Sequence, residues 1–222
     1  MLMRIPFFRS VGDTRCVFFW GKEMVLPRED FGTHVTALYG LMPHKSERRL
    51  TLWMLHNLTS VDVLYDVGAH FGFYTALGEY MVQNGEVHAF EANKKLCSYL
   101  TKNFSKSPNV HLSCNAVADS VRAVDFYDAT DAVDSSASSR FNLLGTKVKP
   151  TTVQATTLDT YIMEGKCPPT IIKIDIEGGE YDAFVGAEKL IAMHRPRIIM
   201  EVWGGELGKK YSLSAVKKLQ DA

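Results

Sequence analysis

The sequence predicts an α/β protein built on a mostly parallel β-sheet flanked by helices. From residue 61 onward, short apolar runs alternate with longer amphipathic stretches, the pattern of strands that alternate with helices. The first run ends at Asp66 and continues through Gly68 and Gly72 into a helical pattern. Later runs also end in acids, at Glu91, Asp175 and Glu201. Because the carboxyl ends of parallel strands form one ligand-binding edge, we expect these four acids to lie there together.

Two short apolar runs around a polar turn come first and predict a hairpin over residues 16–26. A helical pattern follows at residues 48–58. We interpret residues 1–60 as an N-terminal cap or lead-in, and residues 61–222 as the main domain.

Turn residues such as Asn84-Gly85, Ser107-Pro108 and Pro196 separate the elements of the main domain. Its strands are expected at residues 62–66, 86–90, 110–114, 124–127, 170–175 and 197–202. Its helices are expected at residues 72–82, 93–104, 157–161, 179–193 and 212–220. The polar, serine-rich residues 128–147 indicate a long loop.

Composition limits the class of protein. The chain has 222 residues, a hydrophobic fraction of 46% and a formal net charge of zero, so we expect one main domain and no nucleic-acid partner. No apolar run approaches the ~18–20 residues of a membrane span. The four cysteines form no C-x-x-C pair, which favours reduced thiols and a cytoplasmic location. They are Cys16, Cys97, Cys114 and Cys167.

The turn after Asp66 has the form D-x-G-x-x-x-G. A dinucleotide fingerprint would be G-x-G-x-x-G, and the middle glycine that admits a pyrophosphate is missing here. Glycine lets the backbone approach a ligand, and a helix N-terminus offers free N–H groups. An acid at the strand end suits a ligand with a positively charged amino-acid end. The turn therefore favours S-adenosylmethionine (SAM) over NAD.

Glu91 follows Gly72 by 19 positions (91 − 72) at the end of the second strand. At about this distance an acid meets the ribose hydroxyls of an adenosine cofactor. The spacing fits SAM and NAD equally, so it indicates an adenosine pocket and leaves the chemistry open.

A second acidic cluster, Asp175, Glu177 and Glu180, follows a strand that contains Lys173. These acids either cap the next helix or line the pocket, where Asp175 or Glu177 orients or deprotonates an acceptor hydroxyl. The histidines show no H-x-x-x-H spacing, so no metal is expected. The alternative is a divalent ion held by Asp175 with Glu177 or Glu201.

With these motifs in hand, the chain resembles the FkbM family of SAM-dependent methyltransferases over residues 62–203. The resemblance rests on the segments at residues 66–75, 87–91, 156–159, 172–180 and 196–201. It implies a Rossmann-like class I methyltransferase fold and methyl transfer from SAM to oxygen, usually a hydroxyl of a sugar or a secondary metabolite.

The resemblance also implies roles for residues. The cofactor-binding positions are Asp66, Gly68, Ala69, His70, Gly72, Glu91, Asn115, Ala116 and Asp175, and the catalytic candidates are Asp175 and Glu177. At position 70 the family usually has asparagine, and histidine adds a titratable group. The substrate-binding candidates are Ser135, Ser136, Arg140 and Glu201. The three in the long loop are expected to form an acceptor-side lid, unless that loop is simply a flexible polar segment.

The family fold normally ends with two further strands, which the sequence does not reach, so we expect a sheet truncated at its last strand. An uncovered strand edge favours association, here a homo-oligomer. The expected partner is a small-molecule or glycan hydroxyl acceptor. Two competing hypotheses are a non-catalytic SAM-binding protein and an NAD-dependent oxidoreductase.

Overall fold

The computed structural model describes residues 14–27, 45–127, 149–202 and 212–220. The strands are β1 (Thr14–Val17), β2 (Glu23–Leu26), β3 (Val63–Val67), β4 (Glu86–Phe90), β5 (Val110–Ser113), β6 (Ala116–Val117), β7 (Arg122–Phe126), β8 (Thr151–Thr156), β9 (Ile171–Ile174) and β10 (Arg197–Met200). The helices are α1 (Lys45–Asn57), α2 (Phe73–Met81), α3 (Lys94–Phe104), α4 (Leu158–Met163), α5 (Glu180–Val185), α6 (Glu188–His194) and α7 (Leu213–Gln220).

The central sheet contains five parallel strands in the order β10-β9-β3-β4-β5. The predicted α/β class with a mostly parallel sheet is therefore confirmed. β3 lies between β4 and β9, so the ends of these three strands are neighbours. This order brings Asp66, Glu91 and Asp175 to one edge of the sheet, as expected for a parallel arrangement. β10 is an edge strand of this sheet, and association through it stays a prediction.

Helices cover both faces of the sheet. Neighbouring residues of β3 point to opposite faces and therefore join different cores. Leu64 packs with the hairpin, α1, α2 and α3, whereas Tyr65 packs with α4, α5, α6 and α7. The predicted hairpin and N-terminal helix are present. They contribute Phe18, Met24 and Met54 to the first of these cores. The division at residue 60 stays a prediction, since the hairpin and α1 share a core with the sheet.

A second, smaller sheet has the order β6-β8-β7. The sequence did not predict β8, because threonine and glutamine alternate there with only Val153 and Ala155 as buried apolar residues. Its pairing is antiparallel with β7 and parallel with β6. The strand is therefore defined by its partners more than by its own hydrophobic pattern.

The helix predicted over residues 179–193 is wrong in one respect, because the structure has two helices, α5 and α6, with a break at Gly186. A Cβ atom at Gly186 would lie 2.0 Å from the carbonyl oxygen of Ala118. The carboxylate of Asp159 accepts hydrogen bonds from the N–H groups of Lys189 (3.2 Å) and Leu190 (2.8 Å). Asp159 thus supplies the polar partner for the first turn of α6.

The expectation of four reduced cysteines is wrong for Cys97 and Cys114, which form a disulfide with their Cα atoms 5.8 Å apart. The bond joins α3 to the segment after β5. Cys16 is buried and Cys167 exposed, and both are free thiols. Within the described ranges, the helices are all too short or too polar to cross a membrane.

Candidate cofactor and acceptor site

The glycines of the turn after β3 allow other segments of the chain to pack closely against it. Gly68 has a φ of +80°, and a Cβ atom there would lie 1.8 Å from the carbonyl oxygen of Asp175. At Gly72, with a φ of +98°, a Cβ atom would meet the side chains of Leu100 and Phe104 at 2.8 and 2.6 Å. Close packing of β3, β9 and α3 around the turn is thus one reason for these glycines, and close approach to a ligand stays a prediction.

The N–H groups of this turn are largely used inside the protein. Those of Gly68 and Ala69 donate to the carbonyl oxygen of Phe90, and that of Gly72 donates to Ala69. The N–H group of His70 donates to Oε2 of Glu91 at 2.8 Å. These four residues precede α2, so the free N–H groups expected at its N-terminus stay a prediction. A pyrophosphate cradle needs such groups, so the turn is poorly suited to a dinucleotide.

Two non-glycine residues near the carboxyl end of the sheet adopt left-handed backbone conformations. His70 has a φ of 55° and Glu177 a φ of 54°, and each lies in one of the two loops that follow β3 and β9. This conformation costs about 1–2 kcal/mol for an ordinary residue and less for asparagine. The asparagine that the family resemblance implies at position 70 would fit that requirement. Backbone strain of this kind is frequent at functional sites.

Asp66 is completely buried and charge-paired. Its Oδ2 accepts a hydrogen bond from Thr75 at 2.7 Å, and its Oδ1 lies 3.2 Å from Nζ of Lys173. Nζ also donates to the carbonyl oxygen of Gly68 at 2.8 Å and lies 3.9 Å from Asp175. Burial alone would lower the pKa of Lys173, but Asp66 and Asp175 raise it above its ordinary value. Lys173, not included among the predicted site residues, thus links the two loops.

Glu91 is buried and accepts two backbone hydrogen bonds. Its oxygens receive the N–H groups of His70 and Asn93, each at 2.8 Å. Burial raises the pKa of the Glu91 carboxyl, although the imidazole of His70 and these N–H groups oppose that shift. Nδ2 of Asn93 is buried and has no hydrogen-bond partner within the described ranges. An acceptor and a spare donor two residues apart suit the paired hydroxyls of a ribose, and the sequence did not single out Asn93.

The acids of the loop after β9 have two different roles. Glu180 is buried, and its Oε1 accepts from the N–H groups of Ile176 at 3.1 Å and Gly178 at 3.3 Å. Helix capping and pocket lining are the two predicted roles of these acids. Glu180 fits the first, since it stabilises the turn before α5. Asp175 and Glu177 come together with Glu201, and one carboxylate oxygen from each lies within 4.8 Å of the others. Such oxygens are the donors that magnesium and calcium prefer.

Of the remaining predicted residues, Asn115 and Ala116 follow β5, and those of the long loop lie outside the described ranges. Nδ2 of Asn115 donates to Oγ of Ser113 at 3.3 Å, and Ala116 is buried at the start of β6. Both directly follow the disulfide cysteine Cys114. The acceptor-side residues Ser135, Ser136 and Arg140 fall outside the described residues, so their role stays a prediction.

Comparison with known proteins identifies the family. The Methyltransferase FkbM domain matches residues 66–212. The chain belongs to the FkbM methyltransferase family. Among curated proteins, no sequence matches this chain significantly.

Two solved structures have the same fold. The FkbM methyltransferase of Methylobacillus flagellatus KT superposes with a TM-score of 0.54 at 16% identity, over 74% of this chain and 38% of that one. A putative rRNA methylase of Clostridium thermocellum superposes with a TM-score of 0.51 at 16% identity, over 81% of this chain and 82% of that one. This chain therefore spans well under half of that FkbM protein.

The matching family model is that of a methyltransferase domain, and the superpositions show the fold of solved methyltransferase structures. The predicted recognition and fold class are confirmed. The prediction of no nucleic-acid partner has no support, because a protein of the same fold is described as a putative rRNA methylase. At this identity the likeness concerns the fold alone.

Proposed function

We propose that this chain is an O-methyltransferase that transfers the methyl group of SAM to a hydroxyl group of a sugar or a secondary metabolite. The convergence of Asp175, Glu177 and Glu201 within 4.8 Å carries the proposal. These acids follow β9 and β10, at the same sheet edge as Glu91. A carboxylate there can orient an acceptor hydroxyl and take its proton, while neighbouring acids hold the rest of the acceptor.

The residues present fit the cofactor. Glu91 and Asn93 would hold the ribose, Asn115 and Ala116 would lie at the adenine, and the turn of Gly68, Ala69, His70 and Gly72 would border the amino-acid end. Asp66 acts indirectly, since its carboxylate is buried against Lys173 and fixes both loops. SAM supplies an activated methyl group on a positively charged sulfur. The contribution of the protein is orientation of the acceptor, which can account for a large share of the rate.

The acceptor side includes Glu201 and, in the long loop, Ser135, Ser136 and Arg140. A neutral hydroxyl is the group that such a mixed set of carboxylates, hydroxyls and one guanidinium can hydrogen bond from both sides. A cytoplasmic location is part of the same proposal. The Cys97–Cys114 disulfide weighs against this location, because disulfides are rare in the cytosol.

The test is an Asp175→Asn, Glu177→Gln double variant. We expect it to retain SAM binding by calorimetry, because asparagine and glutamine keep the size and the hydrogen-bonding oxygens of the two side chains and Glu91 is unchanged. Turnover, measured as transfer of a labelled methyl group to a panel of sugars, other hydroxyl compounds and RNA, should fall by about 10²–10⁴-fold. Glu164→Gln, an exposed acid of the opposite end, is the matched control and should leave turnover unchanged.

The outcomes separate the hypotheses. Wild-type protein that binds NAD and not SAM would replace the methyltransferase with an oxidoreductase. SAM binding without transfer to any acceptor would favour a non-catalytic SAM-binding protein. Transfer to RNA alone would replace the acceptor class, and unchanged turnover in the double variant would remove the role of the two acids.

A further inference from the structure

A cluster of histidine, glutamate and cysteine lies on the sheet away from the cofactor edge. Glu86 and His88 are alternate residues of β4 and face the same side, and His111 of β5 is the register partner of His88. Oε2 of Glu86 lies 2.9 Å from Nε2 of His88 and 3.6 Å from Nε2 of His111. The two imidazole rings stack with centroids 4.6 Å apart. One donor atom from each of Glu86, His88 and His111 thus lies within 4.8 Å of the other two.

This cluster is separate from the proposed cofactor and acceptor site. Glu86 begins β4, whereas Glu91 follows its last residue. Four residue steps of extended chain, about 13 Å, separate Glu86 from Phe90. The function proposed above uses none of these side chains.

Neighbouring groups hold the cluster in place. Nδ1 of His88 lies 2.9 Å from the hydroxyl of Tyr161, and this contact directs the other ring nitrogen towards Glu86. An outer hydrogen bond of this kind is what usually orients a metal-binding histidine. The exposed thiol of Cys167 lies near the carboxylate of Glu86. The hydroxyl of Tyr65 donates to the Cys167 carbonyl oxygen at 2.7 Å and fixes that segment.

We propose that Glu86, His88 and His111 bind a divalent transition metal ion of the zinc type, and that Cys167, whose Sγ lies outside this group of three donor atoms, turns its side chain in as the fourth ligand. Two imidazoles, a carboxylate and a thiolate suit Zn²⁺, whereas magnesium and calcium prefer oxygen ligands. Zn–N bonds of about 2.1 Å in a tetrahedron place neighbouring ligand atoms about 3.4 Å apart. The donor distances of 2.9 and 3.6 Å bracket that value.

The sequence did not reveal this site, because its ligands come from adjacent strands and a distant loop. Zinc motifs with H-x-x-x-H spacing depend on a single helical turn. Here the pairing of β4 with β5 brings together residues 23 positions apart (111 − 88). The expectation of no metal rested on helical spacing alone.

The experiment is a titration of the metal-stripped full chain with Zn²⁺, in competition with a chromophoric chelator. We expect one Zn²⁺ per chain. His111→Ala, chosen because its side chain is partly exposed and so tolerates truncation, should weaken binding by more than the ~10–100-fold that loss of an outer partner costs. Tyr161→Phe removes only that outer partner and should fall within this range. His56→Ala changes an exposed histidine of α1 and should bind like the wild type.

Co²⁺ tests the fourth ligand. In the wild type it should give a thiolate-to-cobalt charge-transfer band that disappears in Cys167→Ser. A spectrum without this band would overturn the assignment of Cys167. Equal Zn²⁺ affinity in wild type and His111→Ala would overturn the whole site. SAM affinity should be the same in His111→Ala and wild type, so the result is independent of the proposed methyl transfer.

Discussion

At the two ends of the central sheet, the pKa values of carboxyl groups are shifted in opposite directions. At the amino-terminal end, burial would raise the pKa of Asp62, but hydrogen bonds from Thr170 and Thr59 and the charge of Arg197 hold it below its ordinary value. Burial would likewise raise the pKa of Glu86, where hydrogen bonds from Cys167 and His88 lower it. These acids are satisfied by the protein itself.

At the carboxyl end, burial raises the pKa of Glu91 and of Glu180, and the backbone N–H groups that both accept do not reverse the shift. A carboxylate left in this condition gains from a ligand that brings hydrogen-bond donors or positive charge. Perturbed acids of this kind cluster at functional sites. The difference teaches that the protein itself stabilises the charged form of Asp62, whereas Glu91 at the carboxyl end gains from a bound ligand.

The largest effect expected at the carboxyl end follows from Lys173→Met. This change leaves Asp66 as a buried, uncompensated charge and should lower the free energy of unfolding by about 3–5 kcal/mol. At the other end, Arg197→Met removes a half-exposed partner 3.6 Å from Asp62 and should cost less than about 1 kcal/mol. Urea unfolding of the two variants gives both values.

Adding Asp66→Asn to Lys173→Met supplies the control. The neutral side chain no longer needs a cation, so the double variant should recover part of the lost stability. If Lys173→Met and Arg197→Met prove equally costly, the contrast between the two ends is wrong.

Two glycines provide a second comparison. Ala at Gly68 meets the Asp175 carbonyl oxygen at 1.8 Å and should cost more than the ~1–2 kcal/mol of its left-handed conformation alone. Gly165 lies near the opposite end with a similar φ of +84° and nothing within 4 Å of its Cβ position. Gly165→Ala should therefore cost only the conformational term, about 1–2 kcal/mol.

Thermal unfolding measures both glycine variants, and calorimetry with SAM adds a second readout. Gly68→Ala should also weaken SAM binding, because the two loops of the site must move apart. Equal losses at Gly68 and Gly165 would mean that the close approach of β3 and β9 tolerates a methyl group.

Elements with a strong local pattern could be predicted from the sequence. β4 has the predicted bounds, Glu86–Phe90, and α3 follows the cap residue Asn93, whose Oδ1 accepts from the N–H groups of Lys95 and Leu96. Asp66, Glu91 and Asp175 could be placed at one edge because parallel strands end together. In these cases the information lies within a few residues.

Features that depend on distant pairing could not be predicted. β8 has few apolar residues of its own, and the Cys97–Cys114 disulfide joins segments separated by 17 positions. Lys173 has the same sequence context whether it faces solvent or Asp66. Gly186 between α5 and α6 packs against the carbonyl oxygen of Ala118, a distant contact that helical periodicity does not report.

Small effects of opposite sign are expected from a pair of variants that should respond oppositely to pH. At neutral pH, Asp62→Asn should lose about 1 kcal/mol, because a charged acceptor of three hydrogen bonds is replaced. The pKa of Asp62 is lowered in the folded protein, so its contribution is present above the unfolded value of 3.8 and is lost on acidification. The deficit of Asp62→Asn should therefore shrink as the pH falls below that value.

Glu180→Gln should be slightly more stable than wild type at neutral pH. Its pKa is raised in the folded protein, so the wild-type carboxyl is favourable below the unfolded value of 4.5 and becomes unfavourable as the pH rises through the folded value. The advantage of glutamine should vanish on acidification towards pH 4.5. Urea unfolding across the acid range measures both variants. Deviations of the same sign at neutral pH would show that the two ends of the sheet do not differ in how they hold charge.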